Sequence, residues 1–193
     1  MRKGLVLLTG LVLLLPGCAA GGSSTPASSS PAASPSAAGD LVVGMELAYP
    51  PFETKDAAGN PSGVSVDLAR ELGHYLGREV RIENIAWDGL IPSLQSGAVD
   101  VVISSMTITE ERARVVTFSE PYAHAYLAFL VAQDSPARSA ADLNAAGRTI
   151  AVKKGTTGEL LARTTLPKAT INAFTSENAA VTEVVQGKAD AFV

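Results

Sequence analysis

The chain has 193 residues, 15 Lys and Arg against 19 Asp and Glu, a net charge of −4 and a single cysteine. An acidic chain with 5% aromatic residues carries no electrostatic footprint for nucleic acid, and one cysteine excludes an intramolecular disulfide. His74 and His124 stand apart from any Cys/His grouping, so no metal site and no cofactor is expected and neither histidine is given a role.

Arg2 and Lys3 precede an apolar run over residues 5–15 that is too short to span a bilayer, which reads as a secretory signal over residues 1–17. Leu15-Pro16-Gly17-Cys18 resembles a bacterial lipobox, in which the cysteine is lipidated and becomes the first mature residue. Pro16 is unusual in that pattern, and a free thiol or an ordinary cleavage site nearby is the alternative. Residues 18–39, with Cys18 at their head, are Ala, Gly, Ser, Pro and Thr without charge, a composition that cannot bury enough surface to fold. They read as a flexible tether. Without Arg2 and Lys3 the balance is 13 basic residues against 19 acidic, or −6. The folded part is expected from residue 40 onward, as one domain or two small lobes.

Residues 41–45 (LVVGM) predict a strand that leads into ELAYPPFE, where two prolines stiffen a loop holding Glu46, Tyr49, Phe52 and Glu53. DAAGNPSG is turn material. Residues 65–76 predict a helix, with Val66, Leu68, Ala69, Leu72 and Leu76 near helical spacing and Asp67 in the first turn. Residues 79–84 alternate charged with mostly apolar side chains, which predicts a strand. Trp87 and Asp88 follow, then a helix from Gly89 in which Pro92 fits only the opening turn.

Residues 100–122, DVVISSMTITEERARVVTFSEPY, carry the densest chemistry. Val101-Val102-Ile103 suits a strand covered on both faces, and Thr109 followed by Glu110 and Glu111 marks a helix start. Ser105 and Thr107 lie between; in an extended turn their hydroxyls share a face. Arg112 can hold a carboxylate through two parallel hydrogen bonds. Hydroxyls, a helix start and a guanidinium at the end of a strand therefore suggest a pocket for a small carboxylate. The alternative is an Arg112 paired with Glu110 or Glu111 on a solvated face.

The apolar run at residues 125–132 suits a crossing between lobes. A short helix at 140–146, a strand at 148–152 and a second strand-to-helix loop, KKGTTGE, come next. Gly155, Thr156 and Thr157 make that loop an anion seat or a simple helix cap, and its spacing is not that of a phosphate loop. A strand at 169–174, a helix at 176–187 opening on Ser176-Glu177-Asn178, and a strand from Asp190 complete an alternating α/β pattern. The last strand reads as the start of an unfinished lobe.

Five stretches in order, VGMELAYPPFE, WDGLIPSLQSGAVDVVISSMTITEER, FSEPY, VKKGTTGE and GKADAFV, resemble the bacterial extracellular solute-binding proteins of family 3, the binding components of polar amino acid ABC importers. The resemblance implies a type II periplasmic-binding-protein fold: two α/β lobes joined by crossing strands, lobe 1 at 40–125 and a partial lobe 2 at 126–193. It implies a ligand α-carboxylate held by Arg112 with help from Gly155, Thr156 and Thr157, contacts to the α-carboxylate or α-amino group at Ser105 and Thr107, and a side chain between Tyr49 and Trp87 with Glu46 at its far end. That set favours a polar, in particular a basic, amino acid. It also implies a non-enzymatic monomer, secreted across the cytoplasmic membrane and lipid-anchored, in the periplasm or on the outer face of the cell membrane, with permease subunits as partners. The family's acidic residue for the α-amino group lies beyond GKADAFV, so weak binding or none is expected of these 193 residues. A cyclohexadienyl or arogenate dehydratase of the same fold, and a sensor domain of a signalling protein, are the other readings; the dehydratase needs a general acid, and the sequence singles out none.

Overall fold

The computed structural model describes residues 39–193; the expected signal, Cys18 and all but the last residue of the tether lie outside the described residues. β1 (Leu41–Met45) is the centre of a three-stranded parallel sheet, flanked by β4 (Val80–Asn84) and β5 (Val101–Val102). A small antiparallel pair, β2 (Thr54–Lys55) and β3 (Pro61–Ser62), lies in the loop after β1. Between them run α1 (Val64–Leu76) and α2 (Leu90–Gln95), the latter preceded by a 3-10 turn at Trp87–Gly89.

α1 forms where apolar spacing predicts a helix, and Val66 and Ala69 pack on Leu41, Val43 and Met45. The approach is close enough that a Cβ on Gly73 would lie 2.2 Å from Val80 Cγ2. Leu68 and Leu76 are exposed on the other side. Gly77 ends the helix in the left-handed region, where a side chain is disfavoured, and Arg78 N–H closes onto the Gly73 carbonyl.

After the single turn α3 (Glu110–Ala113), the chain passes to a second sheet of order β6-β9-β7-β8. The apolar run at 125–132 forms a strand only at β6 (Leu130–Val131), which pairs antiparallel with β9 (Ala191–Phe192). The short α4 (Ala140–Leu143) leads into β7 (Thr149–Lys153), which pairs in parallel with β8 (Thr170–Phe174) and β9. α5 (Thr157–Thr165) and α6 (Glu177–Val185) connect them. Ile150, Val152, Ala162 and Leu166 form the main core here, and Ala180 and Val184 of α6 pack on Ala151 on the other face.

The two sheets repeat one plan, which the sequence reading did not detect. In each, a strand is flanked by the next two strands in the chain that join its sheet, β4 and β5 around β1 and β8 and β9 around β7, with helices on the way. In each, an aspartate opening the third strand binds the central strand: Asp100 accepts from Val42 N–H at 3.0 Å and Asp190 accepts from Thr149 N–H at 2.8 Å. Arg78 pairs with Asp100 and Arg148 with Asp190. Among the described residues, no helix is long and apolar enough to cross a membrane.

Candidate functional site

The carboxyl ends of the strands of both sheets open into one cleft of about 220 Å³. From the first sheet come Glu46 after β1, Trp87 after β4, and Ser104 and Ser105 after β5. From the second come Lys153 at the end of β7, Thr156 and Thr157 at the head of α5, and Glu177 at the head of α6. Strand carboxyl ends are where open α/β sheets place ligands. A larger hollow of about 730 Å³ lies against Leu68, Leu72 and Leu94. It holds no Lys or Arg, so the chemistry gathers in the smaller one.

Thr109 caps α3 as its sequence predicts, accepting from Arg112 N–H at 3.2 Å. The Arg112 side chain then turns into the cleft, away from Glu110 and Glu111. Its guanidinium donates to the carbonyls of Thr107 at 2.8 Å and Gly155 at 3.0 Å and lies 5.2 Å from the centre of the Trp87 ring. Glu110 is approached instead by Arg114, at 4.0 Å. Burial lowers the Arg112 pKa from its ordinary value and the Glu111 charge opposes this, yet a guanidinium stays charged in proteins.

Gly155 is where the two sheets' side chains meet. Its carbonyl also accepts from Trp87 Nε1 at 3.0 Å, and its φ of 74° is one that a glycine adopts without strain. Its N–H donates to the Glu159 carboxylate at 2.7 Å, so the backbone donor of the expected anion seat is used within the loop. Thr156 follows the capping reading: its hydroxyl accepts from Glu159 N–H at 3.2 Å and donates to the Lys153 carbonyl at 2.8 Å. Thr157 lines the cleft.

Glu46 is paired. Its carboxylate is bound by the Lys153 ammonium, and the two side chains are only 17% and 9% exposed. Lys153 Nζ also stands 5.7 Å from the centre of the Trp87 ring, so that ring carries two of the chain's own cations. Tyr49 is half exposed and stacked on Phe52, with ring centres 6.1 Å apart.

The turn after β5 is not extended. Ser105 has a φ of 50°, which removes the shared face expected of Ser105 and Thr107. Ser105 instead donates its hydroxyl to Glu53 at 3.0 Å and its N–H to the Tyr122 hydroxyl at 2.9 Å, while Thr107 contributes a carbonyl. Glu53 is 1% exposed and also accepts from the Ser65 hydroxyl at 2.6 Å. Burial raises its pKa, opposed by the two serine hydrogen bonds. Burial likewise raises Glu177.

Thus eight of the nine residues singled out from sequence line the cleft, and the ninth, Gly155, supplies the carbonyl on which two of them converge. Sequence reading missed Lys153, Glu53 and Glu177 as site residues. Glu53 was visible as a carboxylate beyond a strand, but the resemblance gave it no part. From sequence, Lys153 stands in the strand-to-helix loop KKGTTGE and Glu177 in a helix-cap pattern, neither pointing to a site. Lys153 and Glu177 share a signal, a position at or just beyond the carboxyl end of a strand, whereas Glu53 lies in the loop between β1 and β2.

Residues 41–191 match the family described as bacterial extracellular solute-binding proteins, family 3. The L-cystine-binding protein TcyJ of Escherichia coli is 31% identical over 157 residues, covering 80% of this chain and 58% of that protein. Among solved structures, the ancestral amino acid-binding protein AncCDT-1, described as a precursor of cyclohexadienyl dehydratase, is 44% identical with a TM-score of 0.77, over 80% of this chain and 69% of that one. The arginine-bound form of a truncated ArgBP from T. maritima is 43% identical with a TM-score of 0.75, over 80% and 72%. The chain spans about three-fifths of the length of the curated relatives it matches. Its fold is that of the type II periplasmic binding proteins, incomplete relative to those relatives. By its matched length and its fold, the chain belongs to the bacterial extracellular solute-binding proteins, family 3.

Proposed function

We propose that this chain is the amino-acid-binding receptor of an ABC importer: it takes a polar amino acid between its two lobes, residues 40–125 and 126–193, and presents it to a membrane permease. In this reading it is not an enzyme, acts as a monomer, and is held outside the cytoplasmic membrane by a lipid on Cys18 and the tether of residues 18–39. The observation that carries the proposal is Arg112, a half-buried guanidinium directed at backbone carbonyls in a cleft between two sets of strand ends. A ligand α-carboxylate replaces neutral acceptors with a charged one, and burying a carboxylate requires this kind of pairing. Relatives named as cystine-, arginine-, glutamine- and histidine-binding proteins support the ligand class.

The test is a thermal-shift screen of the chain extended to the length of its relatives, against the twenty amino acids at millimolar concentration, where stabilisation follows ligand concentration by mass action. At least one polar amino acid raises Tm, and Arg112→Ala removes the shift while the free protein still melts cooperatively. Each charge-assisted hydrogen bond contributes roughly 1.5–3 kcal/mol, so losing two weakens binding at least about a hundredfold. A shift that survives the substitution removes Arg112 from the carboxylate role.

One observation favours a dehydratase. Glu177 is a carboxyl group in the cleft with a raised pKa, as a general acid requires. Release of water and carbon dioxide from prephenate or arogenate, lost on Glu177→Gln, would establish that activity.

A further inference from the structure

The turn from β5 to α3 has a backbone conformation that its own sequence does not favour. Ser105, with its φ of 50°, is the one non-glycine residue of positive φ among the described residues. Crowding of a Cβ disfavours that region by about tenfold for such a residue. Two contacts hold Ser105 there, its hydroxyl on Glu53 Oε2 and its N–H on the Tyr122 hydroxyl.

Glu53 is a fixed anchor for the first of these. Its backbone exchanges hydrogen bonds with Tyr49, at 2.7 Å from Tyr49 N–H and 3.0 Å to the Tyr49 carbonyl. The same Oε2 that takes Ser105 takes Ser65, in the first turn of α1. An apolar side chain would fill this 1% exposed place without the cost of burying a charge, so packing alone does not account for a carboxylate here. The residue before Ser105 is also fixed: Ser104 is buried, and its hydroxyl accepts from Glu46 N–H at 3.0 Å. Any change of direction therefore pivots at Ser105. Two residues later comes the Thr107 carbonyl that takes the Arg112 guanidinium at 2.8 Å. A return of Ser105 to negative φ carries that carbonyl, and Arg112 with it, out of place.

We propose that Glu53 is the positioning residue of this loop: by accepting the Ser105 hydroxyl it holds Ser105 in the left-handed conformation, and so sets the Thr107 carbonyl and the Arg112 guanidinium for the ligand. Its effect on affinity rests on the amino-acid-binding reading above. Without the tie, only the fraction of molecules with Ser105 at positive φ is competent, and the apparent affinity falls by that fraction.

The experiment titrates arginine and glutamine calorimetrically into the chain extended to the length of its relatives, with Glu53→Leu and Glu53→Gln made in the parent and in Ser105→Gly. Glu53→Leu weakens both ligands by the same factor of about ten, because the loop recognises what the two share. Glu53→Gln restores affinity to within about threefold, since one amide oxygen accepts from both serines. In Ser105→Gly, where glycine adopts positive φ unaided, Glu53→Leu changes affinity by less than about twofold. Equal weakening in both backgrounds overturns the proposal, as does a lower Tm with affinity unchanged. Loss of one ligand alone overturns it too, since Glu53 would then touch the ligand's side chain. A second readout needs no ligand. The Trp87 indole N–H shares the Gly155 carbonyl with Arg112, and its NMR signal, identified by its loss in Trp87→Phe, moves in Glu53→Leu and returns in Glu53→Gln. A signal that stays in place overturns the proposal. If the parent binds no amino acid the receptor reading fails, and the indole signal alone decides whether Glu53 positions the loop.

Discussion

Removing the Glu46–Lys153 pair tests whether the two sheets are held together through the cleft. Glu46 follows the central strand of one sheet and Lys153 ends the central strand of the other. At about 3 Å and an effective dielectric constant of ~20, the attraction is roughly 5 kcal/mol. With side-chain exposures of 9% and 17%, desolvation offsets about half of it or more, leaving a coupling of about 2 kcal/mol. Lys153→Met strands a carboxylate and Glu46→Gln strands an ammonium, each costing about 3 kcal/mol. The double substitution strands neither charge and should cost about 4 kcal/mol rather than 6. Urea denaturation of the four proteins measures this cycle. Costs that add to within about 0.5 kcal/mol would refute a direct pair, because independent sites behave that way.

The buried Glu53 should make stability depend on pH. Its folded pKa is raised by burial above the unfolded value, so its contribution is present below the ordinary carboxylate range and is lost as pH rises through the raised folded value. Urea midpoints from pH 4 to pH 7 should therefore move in favour of Glu53→Gln relative to the parent, and a constant difference would contradict the burial argument. Gly73→Ala should lower stability by about 1–3 kcal/mol although alanine favours helix, because the new Cβ would lie 2.2 Å from Val80 Cγ2 and 2.9 Å from the Arg78 carbonyl oxygen. An unchanged melting temperature would mean that α1 is free to move off β4.

The fold was legible wherever a local pattern coincides with a local cause. Val66 and Ala69 at helical spacing mark the buried stripe of α1, Gly77 its end, and Thr109 and Ser176 the starts of α3 and α6. What sequence could not supply were properties of pairs far apart in the chain. Nothing around Glu46 announces that Lys153 will neutralise it, 107 residues later. Nothing around Ser105 announces that Glu53 takes its hydroxyl and Tyr122 its N–H, an arrangement that needs the positive φ and so breaks the expected extended turn. Arg112 was readable as a site residue because its cap and its chemistry share one stretch, whereas its acceptor Gly155 belongs to the other sheet.

The internal repeat explains why the cleft is uneven. Val42 and Thr149 occupy equivalent places, each bound by the aspartate of its own half. Counting on by the same four residues reaches Glu46 in one half and Lys153 in the other, so equivalent strand ends carry opposite charges and meet. The next strands are also in register: Met45 pairs with Asn84 and Val152 with Ala173, which makes Asp88 the counterpart of Glu177. Their fates differ because the helices begin differently. The 3-10 turn at Trp87–Gly89 presents the indole to the cleft and leaves Asp88 exposed, whereas α6 starts at once on Glu177 and presents its carboxylate. One backbone plan used twice thus lines the cleft with the Glu46–Lys153 pair, the Arg112 guanidinium and a Glu177 carboxylate that no ion pair engages among the described residues.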